Sequence, residues 1–270
     1  MKKIILILII ISISGCIELE EPTEPAFKSN GELLTMYVLD VGQGDSIILH
    51  SQNSTALIDA GDTNKYPIIS SKLEELNVGE LDYIFLTHHH QDHLGSMRPV
   101  LTDYKVNLFV DTASFYSTKS YETLMDTVSE ENIPYRITST GETYKFDKNI
   151  LITVLNPSEP NSNPNDDSIV LKIQAGDQVF LLMGDYENEE TISVDCDVLK
   201  VGHHGSRNAN SKDFLITSSP DISIISLSSD NSYGLPDEEV VGYLDLNSDL
   251  YQTTSGTITV VTDGSTSWVE

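Results

Sequence analysis

Basic residues are scarce in this 270-residue chain: 15 Lys and Arg stand against 42 Asp and Glu, for a formal net charge of −27. That balance argues against a protein that grips nucleic acid through a broad basic face. It leaves room for a local cationic or metal-filled site. Cysteine is nearly missing, with two in the chain, which excludes a disulfide scaffold and a Cys-rich zinc ribbon. Long apolar runs are also missing, apart from one at the start. The apolar residues, 39% of the total, otherwise come in short runs split by turn residues. This excludes a polytopic membrane protein and argues against wholesale disorder. The length suffices for one domain with a sizeable core.

The exceptional run is Ile4 to Ile11, preceded by Lys2 and Lys3. A basic start, a short apolar stretch and small residues beyond it describe an export signal. The run is too short to cross a bilayer, which takes roughly 20 apolar residues. Ile13-Ser14-Gly15-Cys16 resembles the lipobox of exported lipoproteins, and the resemblance implies lipidation of Cys16. The competing readings are an uncleaved anchor and an ordinary signal peptide with an incidental cysteine. We expect a lipoprotein signal peptide over 1–16 and an acidic tether over 17–32, with a folded domain over 33–270. The protein is then exported and lipid-anchored at the outer face of the cell membrane. Cleavage before Cys16 removes Lys2, Lys3 and no acid, taking the net charge from −27 to −29. Cys196 is left without a partner, as a buried apolar thiol.

Beyond residue 32, β-like runs alternate with a few helical ones. Leu33 to Asp40, Ser46 to His50 and Thr55 to Asp59 read as strands joined by tight turns. Ile69, Leu73 and Leu76 recur at helical spacing and predict a helix from Pro67 to Asn77. Leu81 to Leu86 reads as a strand ending at a histidine cluster, and Tyr121, Leu124, Met125 and Val128 as a second helix. Ile150 to Leu155 is followed by the Pro- and Asn-rich loop Asn156 to Asp167. Ser168 to Gln174, Gln178 to Met183, Asp197 to Val201, Ile222 to Leu227 and Thr257 to Thr262 read as further strands, with a helix near Asp237 to Leu246. This pattern predicts an α/β domain of two sheets packed face to face with helices outside.

Six of the seven histidines fall in two short segments, 88–93 and 203–204. Each follows a buried-looking strand. In Thr87-His88-His89-His90-Gln91-Asp92-His93, alternation on an extended loop sends His88 and His90 to one side. The turn at Asp92-His93 can present its pair to a second ion. Imidazole and carboxylate suit zinc, manganese or iron rather than soft metals. Two ions about 3.5–4 Å apart can hold a bridging hydroxide and stabilise charge on a phosphoryl or acyl centre. His89 then points away and is structural.

His-x-His-x-Asp-His after an apolar strand resembles the hallmark of the metallo-β-lactamase superfamily of hydrolases. The resemblance implies a four-layer αββα sandwich of two mixed sheets with outer helices. It implies two divalent ions, Zn²⁺ or Mn²⁺, held by His88, His90, Asp92, His93, Asp185 and His203. Asp59, in Leu57-Ile58-Asp59-Ala60-Gly61, resembles the family's aspartate that braces the histidine loop. Asp185, in Leu182-Met183-Gly184-Asp185, resembles the carboxylate that bridges the metals. His203, after Val198-Leu199-Lys200-Val201-Gly202, resembles the late histidine ligand.

A narrower resemblance covers most of residues 33–264. Val38-Leu39-Asp40-Val41-Gly42-Gln43-Gly44-Asp45-Ser46, Asn165-Asp166-Asp167-Ser168 and Asp197-Val198-Leu199-Lys200-Val201-Gly202-His203-His204-Gly205-Ser206 look like the soluble domain of the competence protein ComEC and its free-standing relatives. Gly42 and Gly44 allow a turn that lays Asp45 near a site. A plain turn between strands accounts for them equally well. Two departures stand out. No histidine lies between 93 and 203, so the usual mid-chain ligand of the first metal has no counterpart. ComEC relatives lack it too, and Asn165 or Asp166 is a candidate to complete that site. Relatives often carry His where this chain has Leu235, which bears on substrate range and rate.

The expected activity is metal-dependent hydrolysis with Asp92, Asp185 and His204 in catalytic positions. His204 donates a proton to a non-bridging oxygen or leaving group, or it is the ligand and His203 is structural; the residues alone do not choose. Lys200 and Ser206 are candidate substrate contacts. Resemblance to ComEC implies a phosphodiesterase, with a nuclease acting on DNA as its leading form, whereas the acidic composition opposes a polyanion. The alternatives are an ester, lactone or β-lactam hydrolase, and a non-catalytic surface lipoprotein that binds metal or a phosphorylated ligand.

Overall fold

The computed structural model describes residues 34–270. The expected signal peptide over 1–16, with Cys16, and the expected tether over 17–32 lie outside the described residues. Eight strands form one sheet, in the order Ser267–Val269, Ile258–Thr262, Leu34–Val38, Ile47–Ser51, Thr55–Ile58, Tyr83–Leu86, Phe109–Thr112 and Tyr135–Thr138. Seven form the other, in the order Asp249–Gln252, Ile222–Ile225, Val198–Lys200, Gln178–Leu182, Val170–Ala175, Ile150–Asn156 and Thr143–Asp147. Each is antiparallel on one side and parallel on the other.

Side-chain alternation along the strands builds the layers. Leu34, Met36, Val38, Ile47, Leu49 and Phe85 point into one core with Leu171, Ile173, Phe180 and Val198 of the opposite sheet. Their neighbours Ile48, Leu57, Ile84 and Leu86 face outward, onto Ile69 and Leu73 of the helix Tyr66–Glu75 and Leu124 and Val128 of Lys119–Glu130. On the far side Leu181, Leu199 and Ile225 pack on Phe214 of Lys212–Ser218 and Leu244 of Glu238–Asn247. The result is the expected αββα order. Among the described residues no helix is long and apolar enough to cross a membrane.

Several elements carry too weak a pattern to be read from sequence. Phe109–Thr112 is a four-residue strand that ends in polar residues, all of them buried. Tyr135–Thr138 is an edge strand with three exposed positions. Met97–Asp103 and Lys212–Ser218 are helices of only seven residues, too short for periodicity to emerge. The loop Asn156 to Asp167 ends in a 3₁₀ turn, Pro164–Asp167.

The parallel strands set the site. Tyr83–Leu86, Gln178–Leu182 and Val198–Lys200 all run out at the same edge of the sandwich, where α/β folds commonly place their ligands. The segments that follow them carry the two histidine clusters and Asp185.

Candidate metal centre

The histidine loop is held from below by Asp59. Its carboxylate accepts from the Thr87 backbone N–H at 2.7 Å, from the Thr87 hydroxyl at 2.6 Å and from His93 Nδ1 at 2.7 Å. Asp59 itself has φ +57°, a left-handed conformation that a short polar side chain tolerates. After His90 the chain turns into one turn of helix, Gln91–Leu94, which brings Asp92 to the cavity and His93 against Asp185. Gly44 makes the closest backbone approach. At φ +102°, a Cβ there would lie 2.0 Å from the Asp92 carbonyl oxygen. The glycine turn is therefore a docking point for the histidine loop, and it delivers Asp45 to the site.

Asp185 stands at the centre. Its Oδ2 lies 3.5 Å from His93 Nε2 and 3.7 Å from both His88 Nε2 and His203 Nε2. Its Oδ1 lies 3.8 Å from His204 Nε2. That same nitrogen is 3.6 Å from Asp92 Oδ2. His90 completes the group, with Nδ1 3.0 Å from His88 Nε2. His90, Asp92, Asp185, His203 and His204 border a cavity of about 380 Å³, whose lining includes Gln43, Tyr116, Tyr233 and Leu235 but, among the described residues, no Lys or Arg; His88 and His93 are buried behind them.

Three polar atoms at this point are buried without a hydrogen-bond partner: His93 Nε2, His204 Nε2 and Asp185 Oδ1. Such orphans cost on the order of 1–3 kcal/mol each, and a cation among them relieves all three. Two sets of donors, His88–His93–Asp185 and Asp92–His93–His204, have ligand atoms within 4.8 Å of one another. Two atoms bound to one tetrahedral zinc stand about 3.3–3.4 Å apart, close to the separations around Asp185. The residues present therefore fit divalent metal ions.

The electrostatics agree. Burial pushes His88 well below its ordinary value, with His93 adding to the effect, and burial likewise lowers His90. Both are neutral imidazoles, the state a metal requires. Burial opposes charge on His93 too, but Asp185 and Asp59 outweigh it and hold that imidazole well above the ordinary value. His204 is raised against its burial by Asp185, Asp92 and Asp45. Burial would raise Asp185, yet His93 and His204 keep it well below the carboxylate range.

The remaining candidates divide. His89 points away from the cavity, as expected. Its Nδ1 donates to the Tyr116 carbonyl and its Nε2 to Asp111, each at 2.9 Å. Asp45 is buried and pairs with Lys200 at 2.8 Å while accepting from the Ser226 hydroxyl. Lys200 shares its strand face with Val198, so alternation aims it between the sheets, where it is fully buried. This corrects the expectation of a substrate contact. Ser206 is also buried, and its hydroxyl accepts from the Asn208 N–H; it does not line the cavity. Asn165 and Asp166 do not line it either, although an oxygen of each is buried without a partner. Glu187 was not visible in the sequence as a site residue. Its carboxylate accepts from His203 Nδ1 at 2.8 Å, but one acid among 42 carries no signal.

Comparison with known proteins places this geometry. Residues 39–229 match the Metallo-beta-lactamase superfamily. The chain is 30% identical over 250 residues to ComE operon protein 3 of Bacillus subtilis, covering 83% of this chain and 32% of that protein. It is 29% identical over 213 residues to competence protein ComA of Neisseria gonorrhoeae, covering 75% and 28%. The chain thus spans about a third of the length of these curated relatives. Among solved structures it resembles the metallo-β-lactamase fold protein YhfI of Bacillus subtilis, with a TM-score of 0.57, 11% identity and coverage of 83% and 98%. It also resembles a diphosphatase of the PhnP family, with a TM-score of 0.51, 15% identity and coverage of 85% and 98%. With residues 39–229 matching the family model, the chain belongs to the metallo-β-lactamase superfamily and is related to these competence-named proteins.

Proposed function

We propose that this metal-dependent hydrolase cleaves phosphodiester bonds, with single-stranded DNA as its leading substrate. The observation that supports this most is the placement of Asp185. One carboxylate touches residues of both donor sets, with Oδ2 3.7 Å from His88 Nε2 and 3.5 Å from His93 Nε2 and Oδ1 3.8 Å from His204 Nε2. A phosphoryl centre offers two non-bridging oxygens to such a paired site. When bound, the ions supply charge stabilisation and an activated water. Asp185 stays ionised because His93 and His204 hold its proton off, and Asp59 fixes the ring of His93. Asp92 lines the cavity beside His204, 3.6 Å from its Nε2. The inward aim of His204 Nε2 favours a ligand over a proton donor. The relatives named for competence and the diphosphatase named above lend the phosphorus reading support. The cavity is large enough for a small diester.

The same reading carries the N-terminal expectation, an exported domain tethered to the outer face of the membrane by lipidated Cys16.

The test is turnover by the full chain loaded with zinc or manganese, on a chromogenic phosphodiester, single-stranded DNA, a lactone and a β-lactam. His90→Ala serves as control. Turnover of the diesters alone, lost in the control, supports the proposal. Acyl turnover alone replaces it with an esterase or lactamase, and metal uptake without turnover replaces it with a binding protein.

A further inference from the structure

The superfamily resemblance leaves the first metal one histidine short, and the structure points to a substitute. His203 and His204 are adjacent, and adjacent side chains on an extended chain point to opposite sides. Here both face Asp185. They do so because both adopt left-handed backbone, His203 at φ +44° and His204 at φ +52°. Such conformations are rare for non-glycine residues and cluster where function requires them. The turn is locked on either side. A Cβ on Gly205 would meet Pro236 Cβ at 2.7 Å, and the Asn210 amide donates to the carbonyls of Gly202 and Ser206 at 2.7 Å each.

Each ring is also anchored as metal ligands are, with one nitrogen donating to a protein acceptor so that the other is aimed. His204 Nδ1 donates to the Ser226 carbonyl at 2.9 Å. His203 Nδ1 donates to Glu187 Oε1 at 2.8 Å, and the other Glu187 oxygen accepts from Asn163 Nδ2 at 3.2 Å. His89, which spends both nitrogens, shows the contrast. The Asn-rich loop therefore reaches the site through Glu187 rather than through Asn165 or Asp166.

We propose that the two adjacent histidines serve different ions. His203 completes the set of His88, His90 and Asp185 in place of the missing mid-chain histidine, and His204 completes the set of Asp92, His93 and Asp185. Glu187 is a positioning residue for His203. The assignment rests on the two-ion part of the proposed function and is independent of the substrate.

The test is zinc titration of the metal-free full chain by calorimetry, with bound metal counted after dialysis and Co(II) absorption as a second readout. Wild type is expected to bind two ions. His203→Ala should retain one and lose the other, His204→Ala should lose the second instead, and the two should differ in their remaining Co(II) spectra. Glu187→Gln, a milder change, should weaken one site by about 10–100-fold and leave the melting curve intact. Asn165→Ala and Asp166→Ala should keep both ions. Two ions of unchanged affinity in both His203→Ala and Glu187→Gln would overturn the assignment, as would loss of an ion in Asn165→Ala or Asp166→Ala. A single ion in wild type would instead remove the two-ion reading beneath it.

Discussion

Lys200→Met offers the sharpest check on how the two sheets are joined beneath the site. Lys200 is fully buried, and its ammonium lies 2.8 Å from the equally buried Asp45. Asp45 reaches it from the turn after Leu34–Val38, in the other sheet, and also accepts from the Ser226 hydroxyl. Met fills nearly the same volume, so the cavity term is small. What remains is a buried carboxylate stripped of its counter-ion, which costs about 3–5 kcal/mol. At about 2–4 °C per kcal/mol for a domain of this size, the melting temperature should fall by roughly 6–20 °C. The double variant Lys200→Met/Asp45→Asn should recover much of that loss, since no charge is then left alone. The pH dependence has a defined sign. Burial would raise the Asp45 pKa, but Lys200, with His204 and His93 adding to it, outweighs burial and holds the carboxyl below its ordinary value. The stabilisation is thus complete above the unfolded pKa of about 4 and is lost as pH falls through the lower folded value. The gap between wild type and Lys200→Met should be full at pH 7 and shrink in acid. Thermal unfolding of metal-free protein from pH 7 down to pH 3 measures both. A loss under about 1 kcal/mol at pH 7, or a gap that widens in acid, refutes the reasoning.

Three further outcomes are expected. Asp185→Ala should lower kcat/KM for a phosphodiester by about 10³-fold, the equivalent of roughly 4 kcal/mol of charge stabilisation, whereas His89→Ala should cost about 1–3 kcal/mol of stability through Asp111 and less than about tenfold in rate; equal rate losses would discredit the ligand assignment. Gly44→Ala should unseat the histidine loop, because its Cβ meets the Asp92 carbonyl at 2.0 Å; wild-type zinc affinity and melting temperature in that variant would show that the contact does not matter. Cleavage of single-stranded DNA should accelerate as salt rises from about 50 to 200 mM, since screening relieves repulsion by an acidic chain, whereas enzymes that grip the backbone through cations slow over that range; a steep fall in initial rate would reveal a basic path that the cavity lacks.

The sequence made the centre of the fold legible because buried strands there leave a dense apolar signal. Thr55–Ile58, Gln178–Leu182 and Ile258–Thr262 lie close to where patterning puts them. The histidine loop and Asp59 were legible because their chemistry is unusual in so short a span. Lys200 is misleading in sequence because a charged side chain reads as solvent-facing, whereas strand parity aims it inward with Val198. Glu187 and Asp111 stayed hidden because carboxylates are common in this chain. Only the fold shows that one aims His203 and the other accepts from His89, Tyr121 and Tyr135. The choice between His203 and His204 depended on two left-handed residues in succession, which no spacing rule encodes.

Charge ties these points together. Lys200, beneath the site, is consumed by Asp45, and among the described residues no Lys or Arg lines the cavity. Without metal, the carboxylates of Asp185, Asp92, Asp59 and Asp45 draw protons onto His93 and His204. Those protons occupy the nitrogens that divalent ions need, so metal uptake must release them. An anionic substrate therefore meets a cavity whose attraction comes from its ions and from little else. The acidity of the surrounding surface then acts as a filter: it disfavours a long polyanion laid across the protein, while a single phosphoryl group at an end or a loop can reach the ions at the least electrostatic cost.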